Sequence, residues 1–197
     1  VQGKVDVWQV GADGKLEVAF DQVTGMFDCA GMKLTSLEGS PRVCGIFSCS
    51  VNYITSLEGG PVAAIDYDCK MTDITNLRGA PREVSGEFNC TSCNLTTLEG
   101  APDAVGGDFN CAANPLMSLE HLPKTVHGTI RVTGRNGLGL LRLLLVEKCT
   151  SVEIVGQPNY WDPVQEIINR HLPQGKAGLS ACATELIKAG YRGNAKL

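Results

Sequence analysis

Apolar positions in the middle of the chain recur at a fixed phase. An aromatic stands at Phe27, Phe47, Tyr67, Phe88 and Phe109, and two residues later comes Cys29, Cys49, Cys69, Cys90 or Cys111. Five residues on sits Leu34, Ile54, Ile74, Leu95 or Leu116, and three more reach Leu37, Leu57, Leu77, Leu98 or Leu119. Pro41, Pro61, Pro81, Pro102 or Pro123 closes each unit, and the cysteines are spaced 20, 20, 21 and 21 residues apart. A period of this length belongs to stacked coils or to a propeller. The aromatic and the cysteine, two apart, share one face of a short strand, and the residue between them faces the other way. Proline lacks an N–H and has a fixed φ, so it suits a corner. Gly39, Gly59, Gly79 and Gly100, two residues before the first four of these prolines, suit a positive φ or a close backbone approach. A single unit buries too few side chains to offset its ordering entropy, so the copies must stack.

The flanks differ. In residues 1–22, Val5, Val7 and Val10 alternate with polar residues, Gly11–Gly14 reads as a turn, and Leu16, Val18 and Phe20 alternate again. That predicts a β-hairpin cap over the first coil. Residues 23–133 are the repeats. The last copy keeps the strand, with Ile130 in the aromatic slot and Val132 in the cysteine slot, but loses the Leu-x-x-Leu tail. Residues 134–197 predict a C-terminal α/β cap. It comprises a short helix over 137–146, a strand over 151–155, a helix from Asp162 (N-cap) and Pro163 (N1) to Leu172, and a helix over 180–189 stopped by Gly190. Val164, Ile167, Ile168 and Leu172 share a face of the first long helix, and Cys182, Leu186 and Ile187 form the apolar side of the second. The predicted class is α/β: a short solenoid with a parallel strand sheet, an N-terminal β-hairpin cap and a C-terminal helical cap.

The pattern F-x-C-x-x-N-x-L resembles the leucine-rich repeat core, with Asn52, Cys93 and Asn114 in the Asn/Cys slot and Met32 and Thr72 departing from it. The text L-T-S-L-E-G-x-P followed by V-x-G-x-F-x-C, and the tail from Glu166 to Leu197, resemble leucine-rich repeat proteins encoded by tailed bacteriophages. That resemblance implies a phage-encoded protein acting in the virion or the host cytoplasm. It carries over no site residues.

Composition narrows the function classes. Charged residues are 19% and the net charge is -4, so there is no nucleic-acid footprint. No apolar run is long enough for a membrane span; the longest, 138–146, is interrupted by Gly139 and Arg142. No signal peptide is visible at the start. No G-x-S-x-G, H-E-x-x-H or phosphate-binding loop occurs, and His121, His127 and His171 are scattered, so neither a catalytic set nor a cofactor is expected. His121 stands where other copies have the corner glycine, which makes it a loop residue. The five repeat cysteines read as a buried, reduced ladder, since cysteine is a small hydrophobe that buries easily. Cys90 and Cys93 form a C-x-x-C, but no second pair completes a zinc site. Cys44, Cys149 and Cys182 lie off the ladder and are the candidates for cross-links between chains.

Solenoids bind through the side chains their strands turn outward. Here those are Met26 and Asp28; Ile46 and Ser48; Asp66 and Asp68; Glu87 and Asn89; Asp108 and Asn110; Thr129 and Arg131. Met26 and Ile46 make one end apolar. Asp66, Asp68, Glu87 and Asp108 make the middle acidic, and like charges on neighbouring strands repel. Such a face points to a basic protein partner or a cation. A second acidic row, Glu38, Glu58, Glu99 and Glu120, is interrupted by Arg78, which is expected to bridge Glu58 and Glu99. The expected function is a non-enzymatic protein-interaction module, binding neither nucleic acid nor membrane. The alternative is a structural virion component at the capsid surface or neck. A ubiquitin-ligase effector of the leucine-rich repeat type is a weaker reading, because the 64 residues of 134–197 are too few for its catalytic domain.

Overall fold

The rings of Phe27, Phe47, Tyr67, Phe88 and Phe109 stand in one internal column, with neighbouring centroids 5.0–6.0 Å apart. The coil that builds this column is seen in a computed structural model that describes residues 1–6, 10–17 and 20–197. Its strands are β1 (Val5–Asp6), β2 (Gln22–Asp28), β3 (Val43–Ser48), β4 (Ala63–Asp68), β5 (Glu83–Val84), β6 (Phe88–Asn89), β7 (Ala104–Val105), β8 (Phe109–Asn110), β9 (Thr125–Val126), β10 (Thr129–Thr133) and β11 (Ser151–Val155). All pair in parallel in one sheet, ordered β1-β2-β3-β4-β6-β8-β10-β11, with β5, β7 and β9 branching from β4. The α/β solenoid with a helical C-terminal end is therefore the observed class.

Register follows the repeat text. Phe27 aligns with Phe47, Phe47 with Tyr67, Tyr67 with Phe88, Phe88 with Phe109 and Phe109 with Ile130. The cysteine ladder and both leucine ladders are buried. Each ladder cysteine amide donates to the next coil, from Cys29 to the Ser48 carbonyl at 2.9 Å through Cys111 to that of Arg131 at 3.0 Å. The corner glycines have φ of +84° to +92°. A Cβ on Gly79 would lie 2.4 Å from the backbone nitrogen of Glu58, so at this corner only glycine lets the coil nest against the one before it. His121, in the same slot, also has a positive φ, of +65°.

Short side chains close each turn. Ser36, Ser56, Asn76, Thr97 and Ser118 accept the amides of Glu38, Glu58, Arg78, Glu99 and Glu120 at 3.0–3.2 Å. The T-S-L-E-G text thus encodes side-chain turns as well as a buried leucine. Asn52 accepts the Leu34 amide at 2.9 Å and donates to the carbonyls of Cys29 and Cys49, both at 2.9 Å. Asn114 repeats this with Leu95, Cys90 and Cys111.

Several details differ from the sequence expectation. Cys44 belongs to another inward ladder, Val23, Cys44, Ala64, Val84, Val105 and Val126, all buried. Val5–Asp6 pairs in parallel with Phe27–Asp28 and so begins the solenoid sheet. The expected hairpin is present at its tip, as an antiparallel bridge from Val10 to Leu16; Val7 and Val18 lie outside the described residues. The short helix is a 3-10 turn over Leu140–Leu145, and the strand 151–155 is β11.

The first long helix, α1 (Pro158–His171), begins before Asp162, with Gln157 as N-cap and Pro163 inside. Trp161 drives the earlier start: it is buried, and a Cβ on Gly134 would lie 2.3 Å from its ring. The second, α2 (Leu179–Lys188), buries Cys182 and Leu186 but leaves Ile187 41% exposed, because α2 packs on one side only. No helix among the described residues is long and apolar enough to cross a membrane.

Candidate interaction face

The outward row next to the aromatics terminates strands. Asp28, Asp68, Asn89 and Asn110 accept the amides of Ala30, Lys70, Thr91 and Ala112 at 3.1–3.2 Å. Each is an Asx turn, in which the side-chain oxygen stands in for a backbone acceptor. Ser48, in the same row, is buried, with its hydroxyl 3.3 Å from that of Ser50. Asp68 also pairs with Lys70 at 2.7 Å. Aspartate, asparagine and serine in this row therefore answer a need of the backbone. The D/N/S recurrence one residue after each aromatic was the signal that charge counting missed.

The row on the other side of the aromatics handles an irregularity. From Ala64 to Tyr67 is three steps, but between their partners Val84 and Phe88 it is four. The extra residue splits the strand into β5 and β6 and leaves the Glu87 amide without a ladder partner. The Asp66 Oδ1 atom accepts that amide at 2.8 Å. Gly86 makes room for it, since a Cβ there would lie 2.0 Å from the same oxygen. Two coils on, Asp108 accepts the Thr129 amide at 2.8 Å and pairs with Arg131 at 2.7 Å, and Arg131 reaches Glu153 at 2.7 Å. The Thr129 amide, helped by Arg131, holds the Asp108 carboxyl below the usual carboxylate range.

Glu87 is the exception. Among the described residues it is the one acid of this face with neither a cation nor a backbone amide against its carboxylate. Glu87 is exposed, yet desolvation of its carboxyl by the neighbouring strands, then the charges of Asp108, Asp66 and Asp68, push it up, while Arg131 opposes. Ile46, Asp66, Asp68, Glu87 and Asn89 border one shallow depression. Ile46 is 41% exposed and Met26 half-buried. The structure thus brings the predicted face residues together on consecutive strands, and it gives most of the acids an internal task. In the second row, Arg78 pairs with Glu99 at 2.7 Å and makes no salt bridge to Glu58.

All nine cysteines are free thiols. Burial pushes Cys29 and Cys111 up to about 12 and raises Cys49, Cys69 and Cys90 well above the ordinary thiol value. The Cys93 thiol donates to the Cys69 carbonyl at 3.3 Å and sits beside Thr72. Cys44 and Cys182 are buried, which leaves Cys149 as the one partly exposed thiol. No group of three or more metal-ligating side chains occurs among the described residues. No family model, curated protein or solved structure matches this chain.

Proposed function

We propose that the chain is a non-enzymatic protein-binding module, phage-encoded as its repeat text and tail imply, whose outward strand face receives a basic segment of a partner protein. The observation that carries this reading is Glu87. The acids around it have backbone or cationic partners, yet this carboxylate makes no direct ion pair, lies among like charges that Arg131 only partly offsets, and shares a depression with the exposed Ile46. A negative group kept in such surroundings is relieved by an incoming lysine or arginine. Ile46 and Met26, at the N-terminal end of the same face, supply apolar contact. Asp66, Asp68, Asn89, Asp108 and Asn110 hold the strands in register beneath the partner.

The test is capture from a bacterial host lysate on immobilised wild-type chain, with Glu87→Gln and Glu87→Lys as parallel baits. The expected result is a defined protein retained by the wild type, eluted by salt, weakened by Glu87→Gln and lost with Glu87→Lys. Equal retention by all three baits removes Glu87 and this face from the binding role.

A further inference from the structure

Each coil passes through the left-handed backbone region two residues after its ladder cysteine, at Gly31 (φ +69°), Val51 (+57°), Met71 (+54°), Ser92 (+56°) and Ala113 (+54°). Glycine and small residues are the economical choice there, and a β-branched valine is the least suited. Val51 and Met71 break that rule on adjacent coils and are 53% and 54% exposed. Two residues further along the first four coils stand Lys33, Tyr53, Asp73 and Asn94, and Tyr53 is 60% exposed. Gly31, Val51, Met71 and Ser92 line one open groove with this second row, and the groove runs across the first four coils. Strained, exposed apolar side chains gathered in one groove mark a contact surface more than a folding need.

We infer that this groove is the interface of a twofold homodimer, with the axis passing through Val51 and Tyr53 along the direction of the coil. An isologous interface must be complementary to itself. A rotation about that axis keeps each row opposite its own copy and exchanges the coil before Val51 with the coil after it. Lys33 then faces Asp73 of the second copy, and Met71 faces Gly31. Lys33 and Asp73 are both exposed, and neither is in an ion pair among the described residues. Above Gly31 there is open space, with nothing within 4 Å of where a Cβ would stand, so a methionine has room to enter. Val51 meets Val51, and the Tyr53 rings meet at the centre, where aromatic anchors contribute most. The groove lies past the ends of the strands, so the strand face stays free, and this inference stands or falls separately from the proposed function.

Sedimentation equilibrium of the full chain tests it, read against the 20.9 kDa mass of one chain. The wild type is expected to approach twice that mass with rising concentration. Lys33→Asp and Asp73→Lys each place like charges face to face and are expected to weaken association by about tenfold or more. The double exchange, Lys33→Asp with Asp73→Lys, restores the cross pairs and is expected to recover it. Met117→Ser, an exposed change on a distant coil, is expected to leave association unchanged, and circular dichroism checks that each variant is folded. A wild type that stays monomeric at about 100 µM overturns the inference. So do single variants that associate like the wild type, or a folded double variant that fails to recover.

Discussion

The Asn169 side chain holds both backbone polar groups of Val152, accepting its N–H at 2.7 Å and donating to its C=O at 2.8 Å. One helical turn earlier, Gln165 accepts the Ile154 N–H at 2.7 Å. Four residues of α1 advance about 6 Å, and two residues of β11 about 6.6 Å, so helix and strand keep step. The amides therefore serve as the strand that would follow β11. A sheet end left open would invite pairing with another chain.

Asn169→Leu leaves both groups of Val152 unpaired in a partly buried place and is expected to cost about 2 kcal/mol. Gln165→Leu frees one group and is expected to cost about 1 kcal/mol. Urea denaturation measures both, and light scattering is expected to show Asn169→Leu aggregating before the wild type does. Equal stability of Asn169→Leu and wild type would mean that apolar packing of α1 alone closes the sheet.

How much of this was legible follows from which groups carry periodic information. Phe88, Cys90, Leu95 and Leu98 announce themselves because inward slots must be apolar in every coil. Cys44 did not, because it stands three residues before its aromatic whereas Val84 and Val105 stand four before theirs, and the inserted residue breaks the phase. The acidic face was legible as a row of residues, but the backbone tasks of its acids were not. Asp66 and Asp68 are there for backbone amides, and hydrogen bonds from side chain to main chain leave no mark in a charge count. The start of α1 was misplaced because Asp162-Pro163 has good cap chemistry, while the burial of Trp161 against Gly134 and Gly156 depends on distant parts of the chain.

Asn52 and Asn114 are expected to be the most sensitive polar positions. Each is buried and satisfies an amide of the preceding coil and carbonyls of two coils. Replacing either with alanine orphans these groups in the interior, at an expected cost of about 3 kcal/mol. Thr72→Ala, in the same slot, loses the bond of 2.8 Å to the Cys69 carbonyl and a weak one of 3.3 Å to the Cys93 thiol, and is expected to cost about 1 kcal/mol. Denaturant midpoints for the three variants provide the ranking, and a Thr72→Ala as damaging as Asn52→Ala would contradict it.

Tyr67 is the one hydroxyl in the aromatic column. Its residue is 1% exposed, and its Oη atom has no hydrogen-bond partner among the described residues. The oxygen sits against Gly60, where a Cβ would lie 2.8 Å away. A buried hydroxyl without a partner is a standing cost. Tyr67→Phe makes the column uniform and is expected to raise stability by about 1 kcal/mol in thermal or chemical unfolding. A loss of stability would show that the hydroxyl has a bonded partner, a water for instance.

Glu87 separates binding from folding. Its carboxyl is raised above the ordinary value of 4.5 by desolvation against the neighbouring strands and by Asp108, Asp66 and Asp68. Folding thus favours its protonated form. The stability linked to this group is fully present below the unfolded value, and it is lost as pH rises from there through the raised folded value. Glu87→Gln removes that loss, so its melting temperature is expected to exceed that of the wild type at pH 7. The gap should close at low pH, where the wild-type carboxyl is protonated. Calorimetry at both pH values measures this difference; carboxylates remote from Glu87 cancel, while Asp66, Asp68 and Asp108 lose the same repulsion and act in the same direction. A residue whose neutral replacement stabilises the fold and weakens capture of a basic partner is retained for contact. A gap unchanged with pH would mean that Glu87 is solvated like any surface glutamate, and the strand face would lose its centre.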